Sequence, residues 1–274
     1  MKRIFIPVLL MLAVLAGCET VQTTGTGAVG VDRKQHMTVS AADMNQASAQ
    51  SYVQTMQEAQ QKGLLNRDRN QLNRVRTIAQ RLIPAAGVFR ADSQQWRWEV
   101  NVITSKEVNA WCMAGGKIAV YTGLMDTLQL TDDELAAVMG HEIAHALREH
   151  SREKASQQQL QNTAIGIGAA VLGVGQVGAS LVNMAAQVTY GLPNSREFER
   201  EADHIGVELA ARAGYNPRAA VTLWQKMARA SGGGGGPAFL STHPTPENRM
   251  QDLAKYAEAV MPLYQQSQQP APRR

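Results

Sequence analysis

Apolar residues recur at helical spacing in two stretches in the first third of the chain. The pattern predicts one helix from about Asn45 to Lys62, stopped by Gly63, and a second that is capped by Asn66 and ends before Pro84. The same spacing returns later and predicts helices over about residues 194–213, 217–230 and 246–264. Most of the chain is therefore expected to be helical.

Two short stretches fit strands instead. Trp98–Ile103 alternates between inward and outward side chains, and Lys117–Tyr121 follows the Gly115-Gly116 turn signal. A small sheet should therefore precede the central part of the chain. The expected fold class is α+β and mainly helical.

A helix with a clear start signal follows the second strand. Thr131 and Glu134 form a capping box at its N-terminus. On a helical wheel, His141 and His145 lie opposite the apolar side. That apolar side carries Leu135, Met139, Ile143, Ala146 and Leu147.

The residues from His141 to His145 form the pattern H-E-x-x-H. Side chains four residues apart lie one turn apart on the same face of a helix, so both histidines can bind one ion, and zinc would need about 2.0–2.1 Å from each nitrogen. Glu142 lies further round the helix, in the position of a general base. The alternative is a chance pair, a pattern expected in on the order of one chain in a hundred of this composition. We predict one Zn²⁺ per chain.

A third ligand is expected because hydrolytic zinc sites use three protein ligands. Glu199 and Asp203 share one flank of their helix with the small residues Gly206 and Ala210, which permit close approach to another helix. We therefore predict Glu199 as the ligand and Asp203 as the residue that holds a ligating histidine. The alternative is that both are ordinary surface charges. The other flank, expected to face solvent, carries Glu197, Glu201, His204 and Glu208.

Four motifs together resemble those of the zinc metalloendopeptidase family of the CAAX prenyl proteases and HtpX, and most of all of its LoiP-like periplasmic lipoprotein proteases. They are H-E-x-x-H at 141–145, S-R-x-x-E-x-x-A-D at 195–203, H-P-x-x-x-x-R at 243–249, and a stretch similar to N-A-x-x-x-P-G-G at 109–116. Ala114 replaces the proline of the last motif. The resemblance implies a zincin (gluzincin) catalytic domain with a small sheet packed beside the metal helix, and its glutamate ligand falls at Glu199.

The resemblance also implies roles for residues outside the ligand set. His243 would help to stabilise the oxyanion of the tetrahedral intermediate, with a helix-capping histidine as the alternative. Arg249 would support the metal ligands from behind. A polypeptide substrate would add as a strand along the sheet edge that carries Asn109, Ala110 and Trp111.

The N-terminal residues predict that the protein is exported across a membrane and then anchored by a lipid. Residues 1–17 have a basic start and an apolar run typical of a secretory signal peptide. The end of that run resembles a bacterial lipobox, which implies a lipid on Cys18 that anchors the protein in a membrane, and Glu19 favours the outer membrane, facing the periplasm. The alternative is an ordinary signal peptide with a coincidental cysteine.

We further predict a flexible tether over 18–45, a peptidase domain over 46–264 and a disordered tail over 265–274.

Charge and cysteine content exclude two classes of protein. The net charge of +4 falls to nearly neutral if Lys2 and Arg3 leave with the signal peptide, and no basic run is interleaved with aromatic residues. We therefore expect no binding to nucleic acid. If Cys18 is processed, Cys112 has no partner in the chain, which excludes a disulfide framework.

An uncharged segment lies between Lys154 and Arg196 and is rich in Gly and Ala at its centre. Polar residues interrupt it too often for a membrane span. It joins the helix of His141 to the helix of Glu199, so we expect residues 155–195 either to gate the cleft or to form a packed helical hairpin.

These features predict a lipid-anchored zinc endopeptidase that acts on misfolded or misassembled envelope proteins. The alternative is a zinc-containing assembly or chaperone-like factor for outer-membrane proteins, with the outer-membrane assembly machinery as its partner and little proteolysis. No residue of the catalytic set is missing, which favours the peptidase. A hydrolase of cell-wall peptides has no supporting sequence feature.

Overall fold

The computed structural model describes residues 19–172, 184–185, 187–191, 193–231, 237–244 and 248–269. The predicted signal peptide, Cys18, the glycine run at 232–236 and the last five residues of the predicted tail lie outside this part.

The described residues form helices around a small sheet, as expected from the sequence. The strands are β1 (Glu19–Val21), β2 (Gln35–Met37), β3 (Glu99–Ile103), β4 (Ala110–Met113) and β5 (Lys117–Tyr121). The helices are α1 (Ala41–Gln61), α2 (Arg69–Ala86), α3 (Thr122–Leu128), α4 (Asp132–Leu147), α5 (His150–Leu172), α6 (Arg196–Arg212), α7 (Ala219–Ala230), α8 (Ala238–Thr242) and α9 (Arg249–Ser267). Short 3₁₀ and π turns occupy Ala91–Gln95 and Gln187–Gly191.

The main sheet has the strand order β3-β5-β4. The central strand β5 runs parallel to β3 and antiparallel to β4, with Val120 opposite both Val102 and Ala110. Strand β4 is therefore an edge strand, and it packs against α4. The predicted strand from Lys117 to Tyr121 and the mainly helical α+β fold are confirmed.

Helices α4 and α6 cross in direct backbone contact. A Cβ atom placed on Gly140 would lie 2.8 Å from the carbonyl oxygen of Gly206, and one placed on Gly206 would lie 2.7 Å from the backbone nitrogen of His141. Any side chain at either position would separate the helices. The small residues that we predicted to permit a close helix approach do so at the centre of the fold.

Several helix ends differ from the prediction. Asp68, rather than Asn66, caps α2, because its carboxylate accepts from two backbone N–H groups. Pro84 lies inside the last turn of α2 rather than beyond it, where its missing N–H removes a single helical hydrogen bond. Helix α9 continues to Ser267, so the first residues of the predicted disordered tail, 265–267, are helical.

The N-terminal segment also differs from our expectation of a flexible tether over 18–45. Residues 19–40 include the antiparallel pair β1 and β2 and pack against the helices. Arg33 binds Glu153 of α5 at 2.7 and 2.8 Å and Glu201 of α6 at 2.7 Å. Composition could not reveal these contacts, because the partners lie 120 and 168 positions away in the chain.

Most of the flank of α6 that we expected to face solvent is buried. The N-terminal segment contacts Glu201 and Glu208, while Tyr256 of α9 packs on the ring of His204, and each of these three α6 residues is at most 3% exposed. Glu208 accepts hydrogen bonds from the backbone N–H groups of Ala28 and Val29 at 2.8 and 3.1 Å. The prediction was wrong because a helical wheel shows which residues share a face but not which segment covers that face.

No helix in the described part of the chain combines the length and the apolar character that crossing a membrane requires.

The helix crossing generates a stability prediction for Gly206→Ala. In an open helix this change is stabilising by roughly 0.5–1 kcal/mol, but here the added Cβ would overlap the backbone of His141, and overpacking costs about 1–3 kcal/mol. We therefore expect urea denaturation to show a lower free energy of unfolding. The control is Gly25→Ala, whose Cβ would meet nothing closer than 3.6 Å. A Gly206→Ala protein as stable as the parent would contradict the close crossing.

Candidate metal centre

Helix α4 brings His141 and His145 together as the sequence predicts. The capping box of Thr131 and Glu134 starts this helix, and the two imidazoles follow one turn apart near its end. Their Nε2 atoms lie 3.0 Å from each other, and both residues are at least 93% buried. Two nitrogen atoms therefore face the same small volume.

Helix α6 supplies the predicted third ligand. The two carboxylate oxygens of Glu199 each lie 3.4 Å from an Nε2 atom, one from His141 and the other from His145. The two helices touch at Gly140 and Gly206, and Glu199 lies about two turns before Gly206 on α6. From there its carboxylate reaches the histidines. Glu199 is 1% exposed and not an ordinary surface charge.

The loop after α8 brings His243 to the same place. Its Nδ1 atom lies 2.9 Å from Glu199 Oε1 and 3.2 Å from His141 Nε2. The possible ligand atoms of His141, His145, Glu199 and His243 all lie within 4.8 Å of one another. The ring of His243 stacks on Phe239, with 4.1 Å between ring centroids. The side chain is thus part of the centre, while the backbone N–H of the same residue caps α8 by donating to the carbonyl oxygen of Phe239 at 2.9 Å.

This donor set fits zinc. Two atoms bound tetrahedrally at 2.0–2.1 Å would be about 3.3 Å apart, close to the 3.0 and 3.4 Å between the nitrogen and oxygen atoms here. A buried pair of facing imidazoles and a carboxylate is also the His₂Glu set of catalytic zinc sites. His141, His145 and Glu199 would hold the ion, and a hydrolytic site needs its fourth position open.

Asp203 and Arg249 lie beside these ligands and contact them, and their supporting role stays a prediction. Asp203 Oδ1 lies 3.0 Å from His141 Nδ1, while its two oxygens accept hydrogen bonds from Arg249 at 2.7 and 2.8 Å. Arg249 also lies 2.8 Å from Glu199 Oε2 and stacks over the ring of Trp224. One buried guanidinium therefore pairs with both buried carboxylates, so that neither is left as an unpaired buried charge, which would be costly.

Glu142 lies next to the ligands without joining them. It is 4% exposed, and its Oε1 atom has no hydrogen-bond partner among the described residues, with His243 Nε2 3.4 Å away. Burial raises the pKa of this carboxyl group. A buried carboxylate with an unused oxygen beside the metal position is placed to accept a proton from water.

The metal-free site favours protonation of one histidine. Burial opposes a charge on His141, but the carboxylates of Glu199 and Asp203 outweigh it and raise the pKa of His141 to about 9. Burial lowers the pKa of His145 well below its ordinary value. Zinc must therefore displace a proton from His141 at neutral pH, so its binding should weaken as the pH falls.

Sequence reasoning missed two residues of the centre. Asn194 donates a hydrogen bond to Glu199 Oε1 at 2.9 Å, and His150 lies 2.9 Å from His145. Asn194 directly precedes the S-R-x-x-E-x-x-A-D motif, a signal that could have been used. His150 had no such signal, because it begins a new helix beyond the end of α4.

The predicted substrate edge lies close to this centre. Ala110 and Trp111 are in the edge strand β4, which packs against α4, and Asn109 directly precedes it. The turn Gln187–Gly191 lies beside β4 and is held there by a hydrogen bond from Lys154 Nζ to the carbonyl oxygen of Val188 at 2.9 Å. The rest of the expected gate, residues 173–183, 186 and 192, lies outside the described residues.

The fold and the centre define a zinc metallopeptidase of the H-E-x-x-H class. The sequence profile of peptidase family M48 matches residues 69–257, more than half of the chain. The chain belongs to this family, as the four motifs indicated.

Characterised relatives carry peptidase names. The mitochondrial metalloendopeptidase OMA1 of Arabidopsis thaliana is 39% identical over 173 residues, which cover 62% of this chain and 34% of that protein. The metalloprotease LoiP of Escherichia coli is 29% identical over 242 residues, 88% of this chain and 90% of LoiP. The β-barrel assembly-enhancing protease of Escherichia coli is 30% identical over 197 residues, 66% of this chain and 38% of that protein. The chain spans only 32% to 52% of the length of the OMA1 relatives.

The centre predicts that zinc binding depends on the two histidines of α4. The full-length protein should contain one zinc per chain, and His141→Ala combined with His145→Ala should lose it, because two of three ligands are removed. Elemental analysis of the purified proteins measures the zinc-to-protein ratio. The control is His36→Ala, at an exposed position in β2. Equal zinc content in the double variant and the parent would refute the assignment.

Proposed function

We propose that this protein is a zinc metalloendopeptidase, anchored in the outer membrane through a lipid on Cys18, that faces the periplasm and cleaves misfolded or misassembled envelope proteins. The observation that carries the peptidase activity is the buried cluster of His141, His145 and Glu199 with the carboxylate of Glu142 beside it. The signal-like residues 1–17 and the lipobox-like sequence before Cys18 support the anchoring.

The proposed mechanism assigns the proton transfers to the chain's own residues. Zinc, when bound, supplies Lewis-acid activation of a water molecule and of the peptide carbonyl. Glu142 accepts a proton as the water attacks and delivers it to the leaving amine, a role for which its burial and raised pKa are suited. His243 Nε2, which faces Glu142 at 3.4 Å, donates a hydrogen bond to the developing oxyanion.

The proposed substrate path follows β4. An edge strand offers backbone N–H and C=O groups to an extended peptide, so a polypeptide can add beside Asn109 to Trp111. This mode selects unfolded segments over folded domains, which supports misfolded proteins as substrates. The turn Gln187–Gly191 lies beside the same strand, where a substrate strand would add, and on this ground we propose that the segment 155–195 gates the cleft.

The second candidate function is assembly of outer-membrane proteins with little proteolysis. The observation that favours it is the relative whose name is β-barrel assembly-enhancing protease. That name also includes protease, and every residue needed for hydrolysis is present in this chain. We therefore place outer-membrane assembly machinery among its partners and keep peptide hydrolysis as the activity.

The activity is tested by Glu142→Gln, which removes the base and keeps nearly the same shape. We expect unchanged zinc content and loss of casein cleavage by at least about 10²-fold, the scale of general-base catalysis. The matched control is Glu58→Gln on the exposed side of α1, which should cleave casein normally. A chelator should abolish cleavage by the parent. Normal turnover by Glu142→Gln would assign the base to another residue.

The anchor is tested at Cys18. Radiolabelled palmitate should enter the full-length protein in a bacterial host, and Cys18→Ser should abolish the label and release the protein from the membrane fraction, because the acyl chains provide the attachment. Cys112→Ser is the control, since Cys112 is buried and cannot be lipidated in the folded protein. A Cys18→Ser protein that still sediments with membranes would show that another segment anchors it.

A further inference from the structure

A chain of buried side chains leads from the zinc ligand His145 to the N-terminal segment. His145 Nδ1 lies 2.9 Å from His150 Nδ1, and His150 Nε2 lies 2.9 Å from Glu201 Oε2. All three residues are at most 7% exposed. Neither His150 nor Glu201 belongs to the ligand set, and the catalytic mechanism above does not use them.

The backbone places His150 with some strain. Helix α4 ends at Leu147, and Glu149 has φ of 51°, a left-handed conformation that is uncommon for a residue with a side chain. This turn brings the first residue of α5 back against His145. The ring of His150 then stacks on Phe198 of α6, with 4.5 Å between centroids and 6° between planes. Two helices therefore fix the position of the imidazole.

Hydrogen-bond chemistry determines the direction of this chain. A histidine that binds a metal through Nε2 carries its proton on Nδ1, and such ligands almost always donate that proton to a partner. His150 Nδ1 must then accept from His145, so the proton of His150 lies on Nε2 and is donated to Glu201. The carboxylate at the end makes His145 a stronger ligand and fixes its ring orientation.

Glu201 is itself held by two arginines. Arg148 Nε donates to Glu201 Oε2 at 3.0 Å, and Arg33 Nε donates to Oε1 at 2.7 Å. Arg148 also donates to the backbone carbonyl oxygen of Arg33 at 2.9 Å. The N-terminal segment that follows Cys18 thus contributes directly to the buried charge that faces His150.

We propose that His150 and Glu201 are positioning residues that orient His145 for zinc, in the way that Asp203 and Arg249 orient His141. The inference rests on the proposed zinc-dependent function. It assigns a separate carboxylate support to each histidine ligand, and it links the N-terminal segment to the metal centre through Arg33.

The test compares three substitutions of His150 in the full-length protein by the dissociation constant for zinc, measured in competition with a chelator. His150→Phe keeps the stacking on Phe198 but removes both hydrogen bonds, and should weaken zinc binding by about 10–100-fold. His150→Asn places an amide oxygen near the position of Nδ1 and should restore most of the affinity. His150→Gln places its amide near Nε2, cannot reach His145, and should bind zinc as weakly as the Phe variant.

Three results would overturn the proposal. They are parental zinc affinity in His150→Phe, equal losses in the Asn and Gln variants, and a loss of unfolding temperature in His150→Phe that is the same with and without zinc. The last two would indicate a merely structural role. If His150→Phe does not fold, the comparison of Asn with Gln still decides. Failure of the parent to bind zinc would instead refute the proposed function, so the two failures are distinguishable.

Discussion

The backbone contact between α4 and α6 is the constraint on which the centre depends. Zinc ligands must lie about 2 Å from one ion, so the helix that carries the two histidines and the helix that carries the glutamate must be unusually close. Gly140 and Gly206 permit this, because neither has a Cβ atom to separate the backbones. The ligands of both helices meet on one side of this crossing, and strand β4 of the sheet also packs against α4. Helix geometry then fixes the ligand spacing without a contribution from flexible loops.

This close packing buries many charged side chains, and most of them form pairs of an arginine with a carboxylate. Behind Glu199 and His141, a bidentate pair of Arg249 and Asp203 supplies compensating charge. On the other side of α6, Arg33 and Arg148 surround Glu201. Buried pairs of this kind add little net stability, since desolvation offsets their attraction, but removing one partner is strongly destabilising. Their role here is to hold ligands in a defined geometry.

The N-terminal segment illustrates where sequence reasoning fails. Its composition is that of a linker, and no periodic apolar pattern marks it. The segment is nevertheless ordered by polar contacts: Glu208 accepts from two of its backbone N–H groups, and Gln35 donates to the carbonyl oxygen of Arg148 at 2.7 Å. Polar contacts between residues so far apart in the chain leave no local sequence pattern. For the same reason, the helical wheel of α6 wrongly placed Glu201 and Glu208 in solvent.

The sequence by itself determined the elements and most of the metal centre. Local properties of the sequence include the helical period, the Thr131 capping box and the spacing of His141 and His145. Because residues four apart lie on the same face of a helix, this spacing alone makes both imidazoles point the same way. The small residues beside Glu199 even indicated which flank meets another helix. Only the tertiary structure decided what packs against these elements: that residues 19–40 cover part of α6, and that His150 turns back to meet His145. Each depends on long-range contacts or on a turn with positive φ, and neither leaves a trace in periodicity or spacing.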